Sequence, residues 1–182
     1  MGNIEEADQA LKQAIALEPN DPANKEDKSL METVLHQQKM ISKYGADDGG
    51  MHDGEIDYEK AAKYCQSILT NCPLSTQYMG LRIQFLLRSH QLKEADEFSK
   101  ATVERQDIPY TSSLHSWRAR VVIYGGNETL GRKLLLQCLQ NDPDNKDAQR
   151  AIKNLKLTAS MKEQASEAFK QNKLEEAISL FD

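Results

Sequence analysis

"DYEKAAKYCQSILTNCP", from Asp57 to Pro73, places Ala61, Cys65 and Ile68 on one face of a helix and stops it at Pro73. Proline lacks the N–H that a continuing helix needs, and it restricts the residue before it. The chain opens on the same layout. In "NIEEADQALKQAIALEP" (Asn3 to Pro19), Ala7, Leu11, Ala14 and Pro19 keep offsets of four, seven and twelve. Ile4, Ala7, Leu11, Ala14, Ile15 and Leu17 form an apolar stripe, while Glu5, Glu6, Asp8, Gln9, Lys12 and Gln13 turn away. Asn20-Asp21 then supply turn chemistry.

The pattern continues downstream. "QLKEADEFSKATVERQD" puts Ala95 thirty-four residues after Ala61, with Ser99, Thr102 and Asp107 at the later offsets. "TLGRKLLLQCLQNDPDN" carries Gly131, Leu135, Cys138 and Pro143, and "KLEEAISLFD" starts a fifth copy at Ala177 and Phe181. The arrangement resembles the tetratricopeptide repeat (TPR), two antiparallel helices in about thirty-four residues. The resemblance implies an all-α, helix-turn-helix solenoid, a right-handed superhelical array. Its small residue allows close helix approach, and its proline ends helix B.

Helix A of each unit lies upstream of these segments. "LSTQYMGLRIQFLLRSH" (Leu74 to His90) fits, with Met79, Ile83, Leu86 and Leu87 on its apolar side. "SSLHSWRARVVIYGG" (Ser112 to Gly126) fits with Arg118-Ala119, and its Trp117 suits either the core or a groove wall. "DKSLMETVLHQQKMISKYG" supplies helix A for Ala61, across an unusually long "GADDGGMHDGEID". That loop's Asp47, Asp48, Asp53, Glu55 and Asp57 do not match calcium-loop spacing, so it reads as a mobile solvated loop. After Pro143 the spacing breaks, since Gly131 to Ala177 is forty-six residues. "DNKDAQRAIKNLKLTASMKEQASEAFKQN" has no Gly or Pro and keeps helical periodicity, which predicts one long helix from about Lys146 to Gln171.

Composition agrees with a helical protein: 9 glycines and 5 prolines in 182 residues, 39% hydrophobic and 28% charged. The net charge of −5 is spread along the chain, without a basic stripe, which argues against a nucleic-acid partner. No apolar run approaches a membrane span, and the first residues lack a signal-peptide pattern. Cys65, Cys72 and Cys138 lack metal-ligand spacing and fit packed thiols in a reducing compartment; the expected location is the cytoplasm, with the nucleus as a further one. Asn127-Glu128-Thr129 is a formal glycosylation acceptor without a secretion signal. No nucleophile, base and orienting group sit at compatible positions, and His36, His52, His90 and His115 are scattered. The expectation is a non-enzyme with no cofactor, no metal and no small-molecule substrate.

"KEQASEAFKQNKLEEAISLF", entered through the long helix, resembles the cytosolic J-domain co-chaperones that carry several TPR blocks. Their corresponding stretch has a Lys-Glu-x-Gly-Asn-x-x-Phe character; Lys162-Glu163 is kept here, whereas Ala165 and Ser166 replace Gly-Asn. The resemblance implies docking of heat-shock chaperones or their clients. In that family a clamp of Lys, Asn and Arg holds acidic tails, because two or more carboxylates need several fixed donors on one wall. Lys162 sits at the first clamp position, and Ser166 has lost the clamp amide. In the middle block, Gln77, Leu81, Ser113 and Trp117 make a poor carboxylate site. Gln84, Leu87, Arg88, Trp117 and Arg120 would instead suit an extended or helical segment of mixed polarity.

Three regions are expected: residues 1–24 as the last helix of an upstream TPR block, 25–144 as a middle block with a loop at about 45–56, and 145–182 as the linking helix and the start of a further block. The opening helix B without its helix A and the closing partial helix B predict a solenoid truncated at both ends, because repeat arrays need capped ends. The function expected is a protein–protein interaction scaffold acting as a chaperone adaptor. The alternative is a structural TPR subunit of another assembly.

Overall fold

A computed structural model of the protein describes residues 4–45 and 56–180. Residues 46–55, which hold most of the expected acidic loop, lie outside the described residues, as does Phe181 of the fifth copy. Among the described residues, the regular structure is nine helices: α1 (Ile4–Leu17), α2 (Pro22–Gly45), α3 (Tyr58–Asn71), α4 (Thr76–Arg88), α5 (Leu92–Val103), α6 (Ser112–Tyr124), α7 (Glu128–Asn141), α8 (Lys146–Lys170) and α9 (Leu174–Ser179). They form an all-α solenoid of TPR type, in which α2, α4, α6 and α8 are helices A and the others helices B. Each helix packs on its chain neighbours, and α4–α6 and α6–α8 also lie side by side.

The turns repeat as the helices do. At three B-to-A turns the residue before Pro19, the residue before Pro73 and the residue before Pro143 each close on the carbonyl four back: Glu18 N to Ala14 O (2.9 Å), Cys72 N to Ile68 O (2.8 Å) and Asp142 N to Cys138 O (2.9 Å). Those carbonyls belong to the residues at offset seven in the repeat. The turn after α5 has Asp107 where the others have proline, and it is held differently. Arg105 grips the Asp107 carboxylate through Nε (2.9 Å) and Nη2 (2.6 Å), and its Nη1 donates to the carbonyl of Pro73 (2.9 Å).

Three A-to-B turns share a second device. Gln91 N, Asn127 N and Lys173 N donate to Leu86 O, Val122 O and Ala168 O at 2.9, 3.0 and 3.0 Å. These are the six-to-one bonds of a Schellman motif, which needs a left-handed residue just past the helix. His90 (φ 58°), Gly126 (φ 90°) and Asn172 (φ 62°) occupy that position. Side-chain caps start the next helices. Asp57, Asn127 and Asn145 accept from the N–H of Lys60, Leu130 and Ala148, at 2.9, 3.0 and 2.9 Å.

The repeat's small positions are where helices meet. Ala61, Ala95, Gly131 and Ala177 are all buried. At Gly131 a Cβ would lie 3.0 Å from the carbonyl oxygen of Ala119 and collide with Ile123, so α7 approaches α6 at a distance that glycine permits. Two apolar clusters result. The larger runs through α1 to α6 around Ile68, Met79, Ile83 and Leu86; the smaller joins α6, α7 and α8 around Ala119, Leu135, Cys138 and Ala148.

The sequence expectations are corrected at three places. Helix α2 begins at Pro22 instead of Asp27, because Asp21 accepts from Ala23 N (3.0 Å) and proline suits a first helical turn. The 24/25 division therefore falls inside α2. Of the α1 stripe only Ile4 is buried; Ala7 and Leu17 are exposed and Leu11, Ala14 and Ile15 half-buried. Among the described residues helix α1 packs chiefly on α2, and an apolar groove of about 510 Å³, lined by both helices and by Asn71 and Cys72, stays open beside it. The long helix matches its expected span to within one residue at its C-terminal end.

Candidate functional site

Helices A present a shared face across α4, α6 and α8, and Trp117 is its centre. The indole is half-buried in the α4–α6 seam. Gly80 of α4 lies against it, and even a Cβ there would meet Leu114 and Trp117 at an ordinary 3.8 Å. The Arg120 guanidinium lies 4.5 Å from the Trp117 ring centroid, within cation–π range. From there it donates to the Asp147 carbonyl of α8 (3.2 Å) and stands 3.5 Å from the Asp147 carboxylate. One aromatic ring and one arginine thus tie three helices A together.

Of the remaining expected residues, Leu87, Arg88 and Lys162 serve other contacts. Gln84 is half-buried on α4, one turn before Arg88. Leu87 packs against the larger core. Arg88 points to α3, where its Nη1 donates to the Tyr58 hydroxyl (3.3 Å) and its guanidinium lies 5.3 Å from the Tyr58 ring, itself stacked on Phe85. Lys162 lies at the α7–α8 junction, with its Nζ 2.6 Å from the Glu128 carboxylate. The structure brings Trp117 and Arg120 together and places Arg88 and Lys162 elsewhere.

The four arginines of α4 and α6 are already engaged. Arg82 pairs with Glu94 (2.6 Å) and stacks 4.1 Å from the Phe98 ring centroid. Arg118 donates to the Asp96 carboxylate (2.6 Å), the Asp96 carbonyl (3.1 Å) and Ser99 Oγ (3.1 Å). These contacts join α4 to α5 and α5 to α6. A multi-carboxylate tail would have to break such bonds, so the wall is unsuited to one.

Sequence reasoning missed a cleft of about 350 Å³ between α6 and α8, lined by Arg120, Tyr124, Arg150 and Asn154 over Ile123 and Leu155. The signal that could have found it is the four-residue step from Arg150 to Asn154, which puts both on one face of α8.

The other sequence candidates have structural roles. Burial pushes the Cys65 thiol up to about 12 and raises that of Cys138, so neither is a nucleophile at neutral pH. His115 Nδ1 is 3.1 Å from the Thr111 carbonyl, and its ring packs on Tyr110. Asn127 spends its side-chain oxygen capping α7. Among the described residues, no group of three or more His, Cys, Asp or Glu could hold a metal, and no helix is long and apolar enough to cross a membrane.

Paired helices, a small residue at each A–B contact and two recurring turn types define the class as a TPR-type solenoid. Comparison with solved structures finds the same fold: the chain is similar to the TPR domain of P58(IPK), with a TM-score of 0.58 over 99% of its length at 21% identity. It spans 48% of that domain's chain, about half. No family model and no curated protein matches the sequence.

Proposed function

We propose that the chain is a non-catalytic protein–protein interaction scaffold whose A-helix face takes a partner segment against Trp117. The observation that carries this is the sole tryptophan held half-exposed on a seam of three helices, backed by Gly80, Leu114 and Arg120. Aromatic and arginine anchors on a rigid wall are what protein interfaces use. The partners we propose are heat-shock chaperones or their clients, in the cytoplasm or nucleus, with the chain acting as a co-chaperone adaptor. The likeness of "KEQASEAFKQNKLEEAISLF" to the J-domain co-chaperones supports that reading, and the free thiols suit a reducing compartment. Because the arginines of α4 and α6 are already engaged, the segment bound is of mixed polarity, as in a client, and not a multi-acidic tail.

The test is capture from cell extract by the immobilised chain and by its Trp117→Ala variant. The adaptor reading expects chaperones or their clients on the parent and a loss of about tenfold or more on the variant, as for an aromatic anchor. A partner set without chaperones or clients would refute the adaptor role. Equal capture by both forms would remove the face around Trp117 from the site.

A further inference from the structure

The geometry points to an anion-accepting subsite at the α6–α8 seam, which takes a single acidic or phosphorylated side chain of the segment bound beside Trp117. This rests on the scaffold reading and adds the chemistry of one partner residue. The α6–α8 cleft has two guanidinium groups, Arg120 and Arg150, together with the Tyr124 hydroxyl and the Asn154 amide, above an apolar floor of Ile123 and Leu155. No acidic side chain lines it. Asp147, which is not among the lining residues, approaches Arg120 at 3.5 Å, a long distance for an ion pair. Arg150 has no ion pair or hydrogen bond among the described residues, unlike Arg82, Arg118 and Lys162.

Two arginines converging on a small cleft, with one carboxylate loosely holding one of them, leave capacity for one more anion. Guanidinium forks match both carboxylate and phosphate oxygens. The apolar floor then suits a hydrophobic neighbour of that residue in the partner segment. This is a different demand from that of an acidic tail, which needs donors for several carboxylates at once. The place also explains why Trp117 and Arg120 are coupled: an anion that draws the Arg120 guanidinium changes its stack on the indole.

That coupling supplies the assay, because Trp117 is the protein's sole tryptophan. The full chain is titrated with N-acetyl-glutamate amide and, separately, with N-acetyl-O-phosphoserine amide, following Trp117 fluorescence. Saturable quenching or enhancement is expected with at least one probe, and which probe binds more tightly identifies the source of the anion. Arg150→Gln should weaken binding about tenfold, the loss of one charge-assisted contact. Arg132→Gln, on α7 outside this cleft, should leave it unchanged. No saturable response, or equal losses in Arg150→Gln and Arg132→Gln, would overturn the subsite. The scaffold reading fails separately: a chain that captures no protein yet binds the probes keeps the subsite and loses the scaffold role. Capture that needs Trp117 but is indifferent to Arg150→Gln does the reverse.

Discussion

Replacing Gly131 by alanine sets two known effects against each other at a place where the structure decides the winner. Alanine is the better helix former by about 1 kcal/mol, which alone would stabilise α7. Against this, the added methyl lies 3.0 Å from the carbonyl oxygen of Ala119 and 3.1 Å from Ile123 Cδ1, and collides with Cγ1 of the same isoleucine. A side chain could turn aside, but the carbonyl belongs to α6 itself. Overpacking of this kind costs ~2 kcal/mol, so the net effect is a destabilisation of roughly 1 kcal/mol. Gly80→Ala is the control, since its methyl meets Leu114 and Trp117 at an ordinary 3.8 Å and should gain up to ~1 kcal/mol. Repeat arrays can unfold in parts, so the assay is thermal unfolding followed by Trp117 fluorescence, which reports on α6 directly. A shift of about 2–4 °C is expected, downward for Gly131→Ala and upward for Gly80→Ala. A Gly131→Ala protein as stable as the parent would refute the close-approach argument.

Other outcomes follow from the same contacts. His90→Gly should stabilise the chain by up to ~1 kcal/mol in urea unfolding, because His90 holds a left-handed φ of 58° that glycine adopts without strain. Arg118→Ala should cost about 1 kcal/mol, reduced from the value of a buried pair because the Asp96 side chain is 54% exposed. Hydrogen bonds from the Lys60 and Arg105 side chains hold the Asp57 and Asp107 carboxyls below the ordinary 3.8. Depressed carboxyl values mean stability that is present above the unfolded range and lost as pH falls through the folded values; carbon-detected NMR titration should find both midpoints below 3.8. In the native protein Cys72 should react with a thiol reagent well before Cys65 and Cys138, which are 0% and 1% exposed; mass spectrometry of labelled peptides gives the order.

Legibility divides between what repeats and what is long-range. The period of the small residue, with Pro19, Pro73 and Pro143 at a fixed distance, locates the helices B, and the absence of Gly and Pro after Asp142-Pro143-Asp144 gives α8 nearly its whole length. The A-to-B turns were less visible. Two of the three left-handed positions are held by His90 and Asn172, so no glycine marks them. Helix α1 shows the limit of periodicity, because a stripe says which side of a helix is apolar and not whether a neighbour covers it; Leu17 is 83% exposed. The candidate face was legible in Trp117 and Arg120, which do meet. Arg88 and Lys162 look equivalent to Arg120 in sequence, yet their partners Tyr58 and Glu128 lie 30 and 34 residues away. Only the packing of the helices shows which cations are occupied.

Site-specific photo-crosslinking tests the scaffold claim most directly. A benzophenone side chain is placed at Gln84 on the A-helix face, or at Lys100 on exposed α5, and the full chain is irradiated in cell extract. The account predicts discrete protein adducts from position 84, chaperones or their clients among them, that Trp117→Ala removes, and none of these from position 100. Adducts equal at both positions, or none at 84, would contradict a binding face formed by helices α4, α6 and α8.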